Sequence, residues 1–192
     1  MTFTFQDKTF DYFDHEYNRT AVNERRIEVP IVRWYAEKRL AGLRLLEVGN
    51  VLSHYGDIGW DVVDKDEQLE KGERVFNLSI GDFKPEKKYD ALISISTFEH
   101  FGSESEIRAI LTNLKENVLV EDAPMVITIP VGYNRNLERI ILEKTTPFER
   151  WYWMMRDAEN LWQDIYYDIA ITAEYDKPYG AAGTIMIATS NL

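Results

Sequence analysis

Residues 46–56 read LEVGNVLSHYG. An apolar run from Leu43 to Val48 stops at an acid and a glycine, Glu47-Val48-Gly49, and a polar stretch follows. A run of that length, bounded by turn residues, predicts a buried strand whose last side chains reach an edge. Working outward, the pattern recurs. Trp60 to Val63 ends at Asp64, Val75 to Leu78 at Ser79, Ala91 to Ile95 at Ser96, and Met125 to Ile129 at Pro130. Between the last two, Glu104 to Asn117 places Ile107, Ile110, Leu111 and Leu114 on one helical face. Upstream, Asn23 caps a helix carrying Ile27, Ile31, Trp34 and Tyr35, with Pro30 inside it as a candidate kink and Ala41-Gly42 ending it. Phe148 to Met155 and Gly183 to Thr189 read as further strands, while the first 22 residues are aromatic-rich without steady periodicity. Short buried strands alternating with helices predict an α/β fold with an open, mostly parallel sheet.

The 192 residues suit one domain, divided as an N-terminal cap and first helix (1–42), a central core (43–134) and a C-terminal part (135–192). A hydrophobic fraction of 45% is enough to drive folding. The 22 basic residues against 33 acidic ones give a net charge of −11, which argues against nucleic acid or an anionic membrane as partner. No run approaches a membrane span and the N-terminus lacks the features of a signal peptide. With no cysteine, disulfides, thiolate metal sites and cysteine nucleophiles are excluded; a cytoplasmic location is expected. His15, His54 and His100 show no metal-ligand spacing.

In open parallel sheets, ligands lie beyond the carboxyl ends of the strands, where strand order reverses. The polar residues there are Glu47 and Gly49, Asp64, Asn77 and Ser79, Ser94 and Ser96, then Gly132, Tyr133 and Asn134. A carboxylate at Asp64 can accept hydrogen bonds from both hydroxyls of a ribose. Gly49, lacking a Cβ, lets the backbone approach a ligand closely. The loop has neither GxGxxG nor GxxxxGK[ST], so a ligand with a ribose and no phosphate fits it best.

Five segments in order, LEVGNVLSHYG, WDVVDKDE, NLSIGDF, YDALISISTFEHFG and MVITIPVGYN, resemble class I S-adenosylmethionine-dependent methyltransferases over Arg44 to Asn134. The wording is similar to small bacterial members linked to polysaccharide or secondary-metabolite pathways. The resemblance implies a seven-stranded Rossmann-like sheet with helices on both faces and an N-terminal helical cap. It implies S-adenosylmethionine as cofactor and methyl transfer to a small-molecule acceptor such as a sugar. Glu47, Gly49 and Asn50 then lie against the methionine moiety, Asp64 and Lys65 at the ribose, Leu78 and Ser79 beside the adenine, and Ser94, Ile95 and Ser96 along the site. Two departures stand out: Val51 and Ser53 occupy the places of the second and third glycines, and Ser79 that of the adenine-side acid unless Asp82 supplies it.

His100 is the candidate catalytic base, since neutral imidazole accepts a proton near pH 7; the alternative is that it shapes the pocket. His54 is either a ligand contact or a loop residue. Tyr17 to Arg25 is a candidate lid over the cofactor. The group Trp151, Tyr152, Trp153, Trp162, Tyr166 and Tyr167 either walls an acceptor pocket or packs the core. The glycine-poor first motif keeps open a non-catalytic module that binds S-adenosylmethionine or S-adenosylhomocysteine. An NAD(P)-dependent oxidoreductase ranks last for want of a phosphate loop.

Overall fold

The computed structural model describes residues 1–67 and 74–192. A hairpin, β1 (Thr2–Phe5) and β2 (Lys8–Asp11), precedes a tight turn over Tyr17–Val22 and helix α1 (Arg25–Trp34). Five short strands follow: β3 (Leu45–Val48), β4 (Asp61–Val63), β5 (Val75–Phe76), β6 (Ala91–Ile95) and β7 (Met125–Pro130). Helix α2 (Glu104–Asn113) joins β6 to β7. After α3 (Arg135–Ile141) come β8 (Arg150–Arg156), β9 (Trp162–Ile165), the short α4 (Tyr167–Ala170) and β10 (Thr184–Ser190).

The main sheet runs β5-β4-β3-β6-β7-β10-β8-β9, parallel from β5 to β7 and antiparallel beyond. Among the described residues it has eight strands rather than seven, because the chain turns back after β8 and adds β9 at the edge. The cap also differs from expectation: the aromatic N-terminus forms the β1–β2 hairpin ahead of α1 instead of being helical throughout. Its alternating Phe3, Phe5 and Phe10 are buried, whereas its other positions face outward.

Strands β6, β7 and β10 are buried at every position, which explains their unbroken apolar runs. One face packs on α2 and α3 through Ile107, Ile110, Leu137 and Ile140. The other packs on α1 through Ile27, Ile31 and Val32. Helix α1 runs through Pro30. A proline there leaves the Arg26 carbonyl without its helical donor, and Phe13 N–H fills the gap at 3.0 Å. The predicted kink is thus replaced by a tie between the N-terminal segment and the helix. Both α1 and α2 end in a wider, π-type turn, Tyr35–Arg39 and Leu114–Val118, which accounts for the longer helices that the sequence suggests.

Strand order reverses between β3 and β6. The chain leaves β3 for β4 and β5 on one side, then returns to pair β6 on the other. That divergence opens a crevice at the carboxyl edge.

Candidate functional site

The crevice holds a cavity of about 530 Å³ over the ends of β3, β4 and β6. Gly49, Asn50, Asp64 and Lys65 line it from one side and Leu78, Ser79, Ser96 and His100 from the other. The structure also brings in Asp66, Thr97 and Phe101, which the sequence reading passed over. Asp82 is exposed and is not part of the wall.

Glu47, Ser94 and Ile95 do not reach the cavity surface. Glu47 is fully buried, and its oxygens accept from Val51 N (3.0 Å), Leu52 N (2.8 Å) and Trp60 Nε1 (2.8 Å). Burial raises its pKa, and these donors work the other way. Glu47 therefore holds the loop in place from beneath. Ser94 Oγ donates to Val48 O at 2.7 Å, tying β6 to β3, and Ile95 packs toward α1.

Asp64 fixes the same loop from the side. Its Oδ2 accepts from Asn50 N (2.8 Å), and its Oδ1 from Asp66 N (2.9 Å) and Glu67 N (3.2 Å). Gly49 has φ +83°, and a Cβ there would lie 2.0 Å from Thr97 Oγ1. The glycine is required by its conformation and by Thr97, a different reason from close approach of a ligand. The Asn50 side-chain nitrogen is buried without a hydrogen-bond partner among the described residues.

A second cavity, about 510 Å³, opens over the ends of β6 and β7. Ser96 and His100 line both cavities and form the wall between them. The rest of the second lining comes from far apart in the chain, including Asn18 in the Tyr17–Val22 turn, Glu24 and Arg25 at the start of α1, Glu99 after β6, and Tyr133, Tyr175 and Tyr179. Thus the Tyr17–Arg25 segment faces this second cavity rather than the first, with Asn18 and Arg19 at φ 54° and 45°. Asn134 caps α3 and donates to the carbonyls of Glu99 and Phe101, which sets the turn carrying His100.

His100 is half-exposed. Its Nδ1 is 3.1 Å from Tyr133 Oη and its Nε2 is 3.7 Å from Glu99 Oε1. Burial, then Arg25 and Lys65, lowers its pKa, which favours the neutral imidazole. Glu99 lies deeper; burial above all raises its carboxyl to about 8.

The undecided residues now have places. His54 stacks on Tyr17 at 4.4 Å and meets Glu67 at 3.0 Å, outside both cavities. Trp162 is buried with Nε1 on Asn160 Oδ1 (2.9 Å), and Trp151 Nε1 donates to Ile141 O, whereas Tyr166 is exposed. None of that aromatic group lines either cavity.

The fold recurs among solved proteins. A SAM-dependent methyltransferase from Archaeoglobus fulgidus aligns with a TM-score of 0.55 at 14% identity, over 91% of this chain and 98% of that one. The N-methyltransferase NodS from Bradyrhizobium japonicum WM9, solved with S-adenosyl-L-homocysteine, aligns with a TM-score of 0.54 at 10% identity, over 87% of each chain. No protein-family model matches the sequence, nor does any curated protein. The chain has the Rossmann-like fold of the class I S-adenosylmethionine-dependent methyltransferases. No helix among the described residues is long and apolar enough to cross a membrane.

Proposed function

We propose that this chain transfers a methyl group from S-adenosylmethionine to a small-molecule acceptor. The observation that carries the reading is the pair of cavities at the carboxyl edge, with Ser96 and His100 lining both. A donor in one and an acceptor in the other meet at that wall. Bound there, S-adenosylmethionine supplies an electrophilic methyl on a positively charged sulfur.

The first cavity fits that molecule. Asp64 makes three hydrogen bonds and a carboxylate offers about four lone-pair sites, so it keeps capacity for a ribose hydroxyl. The unpartnered Asn50 amide supplies a donor to the amino-acid end. Leu78 offers an apolar contact and Ser79 a hydroxyl to the adenine. Much of the rate comes from alignment, for which roughly 7–11 kcal/mol is available to ideal positioning. His100 stands at the wall, beside the point where the methyl group meets its acceptor.

Calorimetric titration with S-adenosylmethionine and S-adenosylhomocysteine tests the donor side. Saturable binding of both is expected; no heat and no thermal shift at millimolar concentration would overturn the reading.

A further inference from the structure

Two carboxylates, Glu24 and Glu99, line the second cavity, and a third, Glu28, lies buried behind Arg25 and Ser96. Glu24 and Glu28 come from the start of α1, and Glu99 from the turn after β6. Two of them are matched. Glu28 is fully buried and holds Arg25, and it accepts from Ser96 Oγ at 2.6 Å. Glu24 accepts from Ala182 N at 3.3 Å. Glu99 is not matched. Its side chain is 3% exposed, and its Oε2 is buried without a hydrogen-bond partner among the described residues. Arg25 is committed to Glu28, and Arg19 sits exposed in the lining.

A buried carboxylate oxygen without a donor is costly, and the Arg25 charge that acts on Glu99 is already paired with Glu28. A hydroxyl ligand supplies only the donor; an ammonium supplies a charge as well. The remaining wall suits a hydroxylated ring, with Asn18, Asn23, Tyr133, Tyr175 and Tyr179 in it. We infer that the second cavity takes a small hydroxylated amine of the amino-sugar class, that Glu99 holds its nitrogen and takes a proton from it, and that the methyl group goes to that nitrogen. The inference rests on the methyl-transfer reading above.

The step balances. Glu99, its carboxyl raised to about 8, carries a proton at pH 7; the entering ammonium displaces that proton to water, then gives one N–H proton to the carboxylate so formed and is left neutral, with a free lone pair. The lone pair forms the N–C bond as the C–S bond breaks, and the electron pair of that bond stays on sulfur. Positive charge moves from sulfur to nitrogen, the product leaves as a secondary ammonium, and Glu99 is left protonated, as in the free protein. Glu28 and Glu24 raise the Glu99 carboxyl further while Arg25 lowers it; Tyr175 and His100 also face it. A value of about 8 is close enough to an amine for proton exchange to be nearly balanced.

The test has two arms. Protein saturated with S-adenosylhomocysteine is titrated with glucosamine and with glucose at pH 7, in two buffers of different ionisation heat. Glucosamine is expected to bind with release of about one proton, because the ammonium displaces the proton on Glu99. Glu99→Gln should release none while its affinity for S-adenosylhomocysteine stays unchanged. In the second arm, methyl-labelled S-adenosylmethionine is offered with glucosamine, galactosamine and 3-amino-3-deoxyglucose, each beside its parent hexose. Label is expected on the amines alone. Label on the hexoses, glucosamine binding without proton release, or no label on any amine by protein that binds the donor would each overturn the inference. Failure to bind the donor at all would instead sink the methyl-transfer reading. Should Glu99→Gln not fold, the comparison of glucosamine with glucose on the unaltered chain carries the test.

Discussion

On one side of the wall formed by Ser96 and His100, two acids accept three hydrogen bonds each: Glu47 from Val51, Leu52 and Trp60, Asp64 from Asn50, Asp66 and Glu67. On the other side, Glu99 has a buried oxygen that accepts none among the described residues. The first cavity uses its acids to build backbone. A carboxylate that accepts several N–H groups fixes a loop that has no glycine-rich turn to fix it, and Val51 and Ser53 in place of glycines are tolerated on that account. In the second cavity an acid is left without its counterpart, which is the mark of a group waiting for a ligand.

The largest effect should come from breaking the first side. Glu47→Ala removes three acceptors and leaves buried donors unmet, each costing about 1–3 kcal/mol. We expect a loss of roughly 3–5 kcal/mol in denaturant unfolding. Lost cofactor affinity at unchanged stability would instead make Glu47 a ligand contact.

The second side should respond in the opposite sense. Glu99 has its folded pKa raised from the ordinary 4.5 to about 8. Below pH 4.5 it is protonated whether folded or not. As pH rises toward 8 the unfolded chain ionises first, so the stability that Glu99 contributes is lost across that window. Glu99→Gln removes this dependence. Its Tm should gain on that of the unaltered chain between pH 4.5 and 8, in the absence of ligand. A constant gap across that range would show that Glu99 is ionised and matched.

Asp64→Ala should weaken S-adenosylhomocysteine binding by about 1.5–3 kcal/mol, the range for hydrogen bonds to a charged group. Calorimetry on the folded variant measures this, and an unchanged affinity would remove Asp64 from the site. Smaller still, Gly49→Ala should cost about 1–2 kcal/mol of stability through its positive φ, plus a clash with Thr97. Adding Thr97→Gly should recover the clash and leave the backbone cost; full recovery would mean that the φ is not strained.

The same contrast explains what the sequence disclosed. Leu46–Gly49, Asp61–Asp64, Ala91–Ser96 and Met125–Pro130 each carry their own evidence, a short apolar run and a polar stop, so the parallel core was readable in place. Gly49, Asp64, Ser79 and Ser96 line the first cavity because the strand ends converge by topology alone. The N-terminal hairpin was missed because only Phe3, Phe5 and Phe10 alternate, over runs of four residues. Strand β9 was missed because WQDI, residues 162–165, has polar centre positions at a sheet edge. The second cavity was harder. Glu24, Glu28 and Glu99 are separated by some seventy residues and look like solvated charge on a chain that is acidic throughout. Only the return of α1 across β6 and β7 brings them together. His100 was conspicuous as the histidine at a strand end, whereas its neighbour Glu99, deeper and unmatched, gave no sign.

The central claim is that the two cavities are the donor and acceptor sides of one reaction. A crystal structure of the complex with S-adenosylhomocysteine tests it most directly. The account predicts the ribose on Asp64, the adenine between Leu78 and Ser79, and the sulfur at the wall formed by Ser96 and His100, facing Glu99. A nucleoside lying in the second cavity, or a sulfur turned away from that wall, would contradict it.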